Sequence, residues 1–209
     1  MAAKKRASGA ELKRLLKHYP DLETMELLVP DILGILKGKR IRRKDFQKAC
    51  SEPFWFCGGT VLLSVLGEVI DGCPGAGDGD PDLPCRVVPG SLAPVPWASR
   101  PMAQGLFRIF DEAGNPYFAD PRAVLEHAMA PLKKMGLTMV MATELEFYLL
   151  DGSASEPTAR APRVPGVDRP QPGVQVYHPD DLDEIQPFLD DVYDYCEAQG
   201  IPADTVISE

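Results

Sequence analysis

Two carboxylates two positions apart, Glu144 and Glu146, stand inside an otherwise apolar, strand-forming run from Thr138 to Leu150, TMVMATELEFYLL. On a strand, alternate side chains leave by the same face. The spacing therefore predicts that both carboxylates point one way, roughly 6–7 Å apart, while Leu145, Phe147 and Leu149 pack on the other side. At about 6 Å and an effective dielectric near 20, two such charges repel by roughly 3 kcal/mol. A divalent cation in front of the pair removes that penalty, and carboxylate oxygens suit Mg²⁺ or Mn²⁺ better than zinc. The competing reading is an exposed strand face with two solvated glutamates, since the pattern E-x-E is common.

The elements that must position this run can be read from the residues around it. Before it stands a helix with Asp120 as N-cap, Pro121 at the first helical position, Val124, Leu125, Ala128, Leu132 and Met135 along one face, and Gly136 to close it. After it come residues 152–174, too rich in proline and glycine for regular structure. From Asp180 a helix is predicted, with Leu182, Ile185, Leu189, Val192, Tyr193 and Cys196 on its buried side, stopping at Gln199-Gly200. Residues 202–209, PADTVISE, read as the opening of another strand, and a chain that stops there is expected to be cut short.

Upstream, residues 10–19 set Leu12, Leu15, Leu16 and Tyr19 on one helical face and end at Pro20. His18 falls in the last turn, where a partial positive charge complements the helix dipole. Thr24–Val29 reads as a strand and residues 30–41 as a hairpin that uses Gly34 and Gly38. Lys37, Lys39 and Arg40 on that hairpin are either an anion-facing patch or a solvated edge that discourages strand pairing. A short helix over 44–50 and two strand-like runs over 54–69 follow, broken at Gly58-Gly59 and Gly67. Residues 71–84 are Gly, Pro and Asp punctuation; the spacing Asp78-x-Asp80-x-Asp82 hints at a calcium loop but lacks the glycine and glutamate an EF-hand places after it. Gln104–Phe118 reads as strand, turn and strand, and the change to helix then strand predicts a domain boundary near residue 118.

Composition bounds the function classes. The chain of 209 residues is 44% hydrophobic and 25% charged, ordinary for a globular protein of one large or two small domains. A net charge of −9 argues against nucleic acid or an anionic membrane as the main partner. No apolar run approaches the roughly 20 residues of a membrane span, and the N-terminal MAAKKR lacks a signal-peptide core, so a cytoplasmic location is expected. Cys50, Cys57, Cys73, Cys85 and Cys196 form no C-x₂-C pair, pointing to neither a zinc site nor a disulfide framework.

Six segments in order, Asp31-x-x-Gly34-x-x-x-Gly38-Lys39-Arg40, Asp80-Pro-Asp-Leu-Pro-Cys-Arg86, Pro89-Gly-Ser-Leu-Ala-Pro94, Asp120-Pro-Arg122-x-x-Leu125, Glu144-Leu-Glu-Phe-Tyr148 and Ile207-Ser-Glu209, resemble the first half of a type I glutamine synthetase. Within that superfamily the likeness is to the γ-glutamylpolyamine branch, typified by γ-glutamylputrescine synthetase, and it runs from about residue 22 to the end. The resemblance implies an α+β chain: an N-terminal helical extension over 1–21, a β-grasp-like domain over 22–117, and over 118–209 the truncated start of a catalytic α/β barrel.

What the resemblance implies chemically is an ATP-dependent ligase. ATP phosphorylates the side-chain carboxylate of glutamate, an amine or ammonia attacks the acyl phosphate, and two divalent metals, Mg²⁺ or Mn²⁺, supply positioning and charge neutralisation. Matched by position, Glu146 and Glu209 correspond to ligands of the first metal, Glu144 to a ligand of the second, and Asp204 to an acidic nucleotide contact. The family's remaining ligands, ATP-binding strands and glutamate-binding arginines lie beyond Glu209, so no ligase activity is expected of this polypeptide alone. His127 and His178 do not match the missing metal histidine and are expected to be structural. Ser64 stands where several relatives carry an aspartate that reaches a neighbouring subunit, which fits an acceptor larger than ammonia. The family also implies a homo-oligomeric ring or double ring.

Three alternatives follow from the same residues: a glutamine synthetase that uses ammonia, a non-catalytic relative kept as an interaction module, and a mononuclear metal-binding protein using only Glu144, Glu146 and Glu209.

Overall fold

Alternation of apolar and polar residues builds the first half of the chain. In β1 (Thr24–Pro30), Met25, Leu27 and Val29 are buried while the residues between them are half-exposed. The same alternation runs through β6 (Met102–Ile109), where Ala103, Phe107 and Ile109 point inward. The structure, a computed structural model, describes residues 2–73, 79–153, 155, 156, 158, 159, 163, 169 and 176–209. It divides into two units, Met1–Met139 and Val140–Glu209.

In the first unit, helix α1 (Ala2–His18) leads into β1 and β2 (Leu36–Arg42), then a 3₁₀ turn and α2 (Phe46–Ser51), β3 (Phe54–Cys57) and a second 3₁₀ turn over Gly58–Leu62. Strands β4 (Asp82–Val87), β5 (Ala93–Pro94) and β6 follow, then α3 (Pro121–Lys134). The six strands make one mixed sheet in the order β2-β1-β6-β4-β3, with β5 also on β6. β1 and β6 are parallel and the other pairs antiparallel. Leu12 and Leu15 of α1 and Phe46 and Cys50 of α2 join the inward strand residues in one core. At its centre Phe107 meets Phe54 and Phe56 edge-on, each at 5.1 Å between ring centres.

Local hydrogen bonds fix the connections. Glu11 of α1 accepts from the backbone of Gly90 at 2.8 Å and Leu92 at 2.7 Å, tying the helix to the β4–β5 loop. His18 donates to the Arg14 carbonyl at 2.9 Å, a structural role as expected. In the β1–β2 turn, Asp31 accepts from Leu33 and Ile35, both at 2.8 Å, and Gly34 takes a φ of +81°. Gly38 is needed for another reason: a Cβ there would lie 2.1 Å from the Leu27 carbonyl oxygen across the hairpin.

The three hairpin cations form neither a free anion-facing patch nor a purely solvated edge. Lys37 lies 3.6 Å from Asp31, Arg40 lies 2.5 Å from Glu26, and Lys39 donates to the Trp55 carbonyl at 2.5 Å. Since β2 and β3 are opposite ends of the strand order, the Lys39 bond shows that the sheet curls until its edges are one side chain apart. Such a bond caps edge groups that would otherwise stay open.

Several expected elements do not form as written. Only β3 and a 3₁₀ turn appear in residues 54–69, because Ser64 accepts from the backbone of Leu66 at 3.2 Å and Glu68 at 3.1 Å and so closes a local turn in place of a ladder. The strands expected over 138–150 and 202–209 do not form: both runs lack regular structure, apart from Leu150–Asp151. A strand is completed by the backbone of its neighbour, and among the described residues neither 138–149 nor 202–209 joins a sheet. The loop expected over 152–174 and Asp78 of the calcium-like spacing lie largely or wholly outside the described residues.

The second unit holds a small ladder, β7 (Leu150–Asp151) with β8 (Thr158–Ala159), then α4 (Asp180–Asp183) and α5 (Gln186–Gln199). The single helix predicted from Asp180 is thus two, broken at Glu184-Ile185 where Pro187 enters the first turn of α5. Leu189 is buried, Leu182, Ile185, Val192 and Cys196 are half-buried, and Tyr193 is exposed. Gly200 in the left-handed region (φ +69°) ends α5 where the sequence predicts.

Candidate functional site

Glu144 and Glu146 lie on the extended run between α3 and β7. The run is open to solvent, with Val140 90%, Leu145 81% and Tyr148 84% exposed. One contact anchors it beside the pair: Phe147 meets Phe188 of α5 edge-on at 5.8 Å. Both glutamates are exposed, and neither has a hydrogen-bond or ion-pair partner among the described residues.

Glu209 and Asp204 lie on the irregular segment after α5 and are likewise exposed. The start of this segment is held by the Ile201 amide, which donates to the Cys196 carbonyl at 2.8 Å. Its end is held by the Tyr177 amide, which donates to the Ser208 carbonyl at 2.7 Å, and by the Ser208 hydroxyl, which donates to Asp181 at 3.4 Å.

Three exposed carboxylates without partners among the described residues have the donor chemistry of a Mg²⁺ or Mn²⁺ site. Their placement is another matter. Among the described residues no group of three or more His, Cys, Asp or Glu is gathered to hold an ion. The ligand types fit a divalent cation, while the arrangement among the described residues does not close around one.

Of the two histidines judged structural, His127 is exposed on α3. His178 turns its Nδ1 toward Asp181, 3.9 Å from the carboxylate, and that nitrogen is buried without a hydrogen bond. Asp181 itself is buried. Sequence reasoning took Asp180 as a helix start and passed over its neighbour; the signal available was a run of acids at a helix beginning, which does not say which one turns inward.

In the first unit the chemistry-bearing side chains serve the fold. Asp120 caps α3 by accepting from Arg122 at 2.9 Å and Ala123 at 3.4 Å, and its second oxygen accepts from the buried amide of Ile109 at 3.0 Å. Arg108 approaches it at 3.9 Å and donates to Glu126 at 2.9 Å. Burial, reinforced by the charge of Glu11, pushes the Cys50 thiol up to about 11. Burial pushes the Cys85 thiol up to about 12, against the pull of Lys39 and with help from Asp120 and Asp82. Such thiols are poor nucleophiles.

Comparison with known proteins places these features. Residues 118–209 match the family model described as glutamine synthetase, catalytic domain. The chain is 35% identical over 205 residues to the gamma-glutamylputrescine synthetase PuuA of Escherichia coli K12, covering 95% of this chain and 42% of that protein. It is 30% identical over 135 residues to the glutamine synthetase of Pyrococcus horikoshii, covering 64% of this chain and 27% of that protein. A crystal structure titled as a novel glutamine synthase homolog superposes with a TM-score of 0.63 at 12% identity, over 90% of this chain and 41% of that one, so the two share a fold. The chain thus spans less than half the length of the curated relatives it matches. No helix among the described residues is long and apolar enough to cross a membrane.

Proposed function

We infer that this chain belongs to the glutamine synthetase superfamily and carries the N-terminal portion of an ATP-dependent glutamate–amine ligase, with a polyamine or other primary amine as acceptor. The observation that carries this reading is 35% identity over 95% of the chain to a γ-glutamylputrescine synthetase. The stretch covered includes the E-x-E run, and the family match continues to Glu209.

In this reading glutamate is activated as γ-glutamyl phosphate and the amine displaces phosphate. Glu146 and Glu209 would ligate one divalent ion, Glu144 would ligate a second, and Asp204 would contact the nucleotide. The chemistry such ions would supply there is neutralisation of charge on the transferring phosphoryl group. Residues 22–117 form a β-grasp-like domain, a reading supported by the parallel central pair β1–β6 flanked by a hairpin on one side. Residues 118–209 begin the catalytic barrel, and the assembly is a cytoplasmic homo-oligomeric ring. Ser64 spends its hydroxyl on its own turn, which supports a subunit that offers no acidic group there for ammonia capture.

Because the resemblance sets the remaining metal ligands, ATP-binding strands and glutamate-binding arginines beyond Glu209, the 209-residue chain is read as inactive alone. The test is phosphate release from ATP by the product of the complete reading frame. Release should require glutamate and a primary amine such as putrescine together. Preference for ammonia would move the protein to glutamine synthetase proper, the reading favoured by shorter matches to archaeal glutamine synthetases. A genuine stop codon after codon 209, with stable expression of that polypeptide, would favour an interaction module.

A further inference from the structure

We propose that Asp181 is the positioning residue for Glu209: it latches Ser208 to the start of α4 and so fixes where the neighbouring carboxylate stands. This deepens the ligase reading and rests on it for the role of Glu209. Four observations in the second unit converge on the latch. The Asp181 side chain is only 2% exposed, although a carboxylate is costly to bury without compensation. Ser208, 27 residues away in sequence, donates its hydroxyl to that carboxylate at 3.4 Å. The chain on the other side closes the same ring, since the Tyr177 amide donates to the Ser208 carbonyl at 2.7 Å.

The fourth observation is backbone conformation. Tyr177 takes a φ of +61°, a left-handed conformation that a bulky residue adopts only where its surroundings impose it. That conformation presents the Tyr177 amide to Ser208 and leads the chain to His178, whose Nδ1 lies 3.9 Å from the second oxygen of Asp181. The buried acid thus has a hydroxyl donor at one oxygen and an imidazole 3.9 Å from the other, in addition to a further interaction of its own. Ser208 is half-buried while Glu209 is exposed. Holding Ser208 against Asp181 therefore fixes the backbone from which the Glu209 carboxylate projects into solvent. Without the latch, the segment from Pro202 onward has no regular structure to set that direction.

The experiment uses the full 209-residue chain with two readouts. Amide hydrogen exchange at Tyr177 reports the latch directly, because that amide is bonded to Ser208. Binding of Mn²⁺, followed by its electron paramagnetic resonance signal, reports the carboxylates. Asp181→Ala should speed Tyr177 exchange about tenfold, Ser208→Ala should speed it severalfold, and Asp181→Asn, which keeps an oxygen to accept from Ser208, should stay within about threefold of the parent. Circular dichroism should show α5 intact in all three. Where Glu209→Gln weakens Mn²⁺ binding, Asp181→Ala should weaken it by a similar factor, and Asp181→Asn should largely restore it.

Unchanged Tyr177 exchange in Asp181→Ala with helices intact would overturn the latch. Mn²⁺ binding weakened by Glu209→Gln but untouched by Asp181→Ala would overturn its positioning role. Accelerated Tyr177 exchange in Asp181→Ala, with Mn²⁺ indifferent to Glu209→Gln, would instead support the latch and remove Glu209 from the metal reading.

Discussion

Replacing Asp120 by alanine tests whether one buried carboxylate joins the sheet to the helix that follows it. Asp120 is 1% exposed, and its two oxygens do separate jobs. One caps α3 through Arg122 and Ala123; the other accepts from the Ile109 amide on β6 and faces Arg108 at 3.9 Å. Loss of an N-cap costs about 1 kcal/mol. A buried amide left without an acceptor costs about 1–3 kcal/mol more. Arg108 would retain Glu126, its partner at 2.9 Å, so that ion pair adds little to the total. Asp120→Ala should therefore lose about 2–4 kcal/mol, a large part of the ~5–15 kcal/mol that stabilises a typical domain. Urea unfolding followed by circular dichroism is the assay, with a lower midpoint at unchanged slope as the expected result. Asp120→Asn, with one acceptor oxygen for two sets of donors, should fall between. A loss below about 1 kcal/mol for the alanine variant, or an asparagine variant as stable as the parent, would refute the double role.

Two further outcomes follow from the same core. Gly38→Ala should destabilise by about 2–3 kcal/mol in the same urea assay, since its Cβ would meet the backbone oxygen of Leu27 at 2.1 Å. Gly105→Ala should cost less than half as much, because its nearest obstacle is the Leu92 side-chain end, which can rotate away. Iodoacetamide at pH 8, read by mass spectrometry, should label the half-buried Cys57, Cys73 and Cys196 before Cys50 and Cys85, by about a hundredfold or more. The raised thiols also fix a pH dependence: they stay protonated in the fold while unfolded-state thiols ionise near the ordinary 9.0. Their contribution is whole below pH 9 and is lost as pH rises toward 11 and 12; a midpoint that climbs across that range would contradict it.

Local signals were legible. Asp120 and Pro121 mark the start of α3, Gly200 marks the end of α5, and the alternation in Thr24–Val29 marks a strand, because each is decided within a turn or two of backbone. What could not be read is what pairs across the sequence. The parallel joining of Thr24 to Met102, or the reach of Lys39 to Trp55, depends on a sheet that curls, and no spacing along the chain encodes that. Residues 61–66 have strand-like composition, yet the hydroxyl of Ser64 offers the backbone a nearer set of bonds. The apolar stripe of α3 was read correctly as a stripe, but none of its residues is buried, since a stripe states a need for cover and not what supplies it.

The same distinction governs the candidate site. Glutamate at 144, 146 and 209 fixes ligand type, because oxygen donors are a property of the side chain; ligand geometry is a property of the sheet that carries them. An E-x-E pair shares a face only while its backbone is held extended against a neighbour, and the run around it is unpaired here. Two contacts nevertheless tie its carriers to the helices of the second unit: Phe147 to α5 at 5.8 Å and Ser208 to Asp181 at 3.4 Å. Each lies one residue from a candidate ligand, Glu146 or Glu209. Docking by the adjacent residue leaves each carboxylate exposed and, among the described residues, without a partner. That is the condition a ligand needs before an ion arrives, since a carboxylate already bonded within the protein would have to surrender that bond to coordinate.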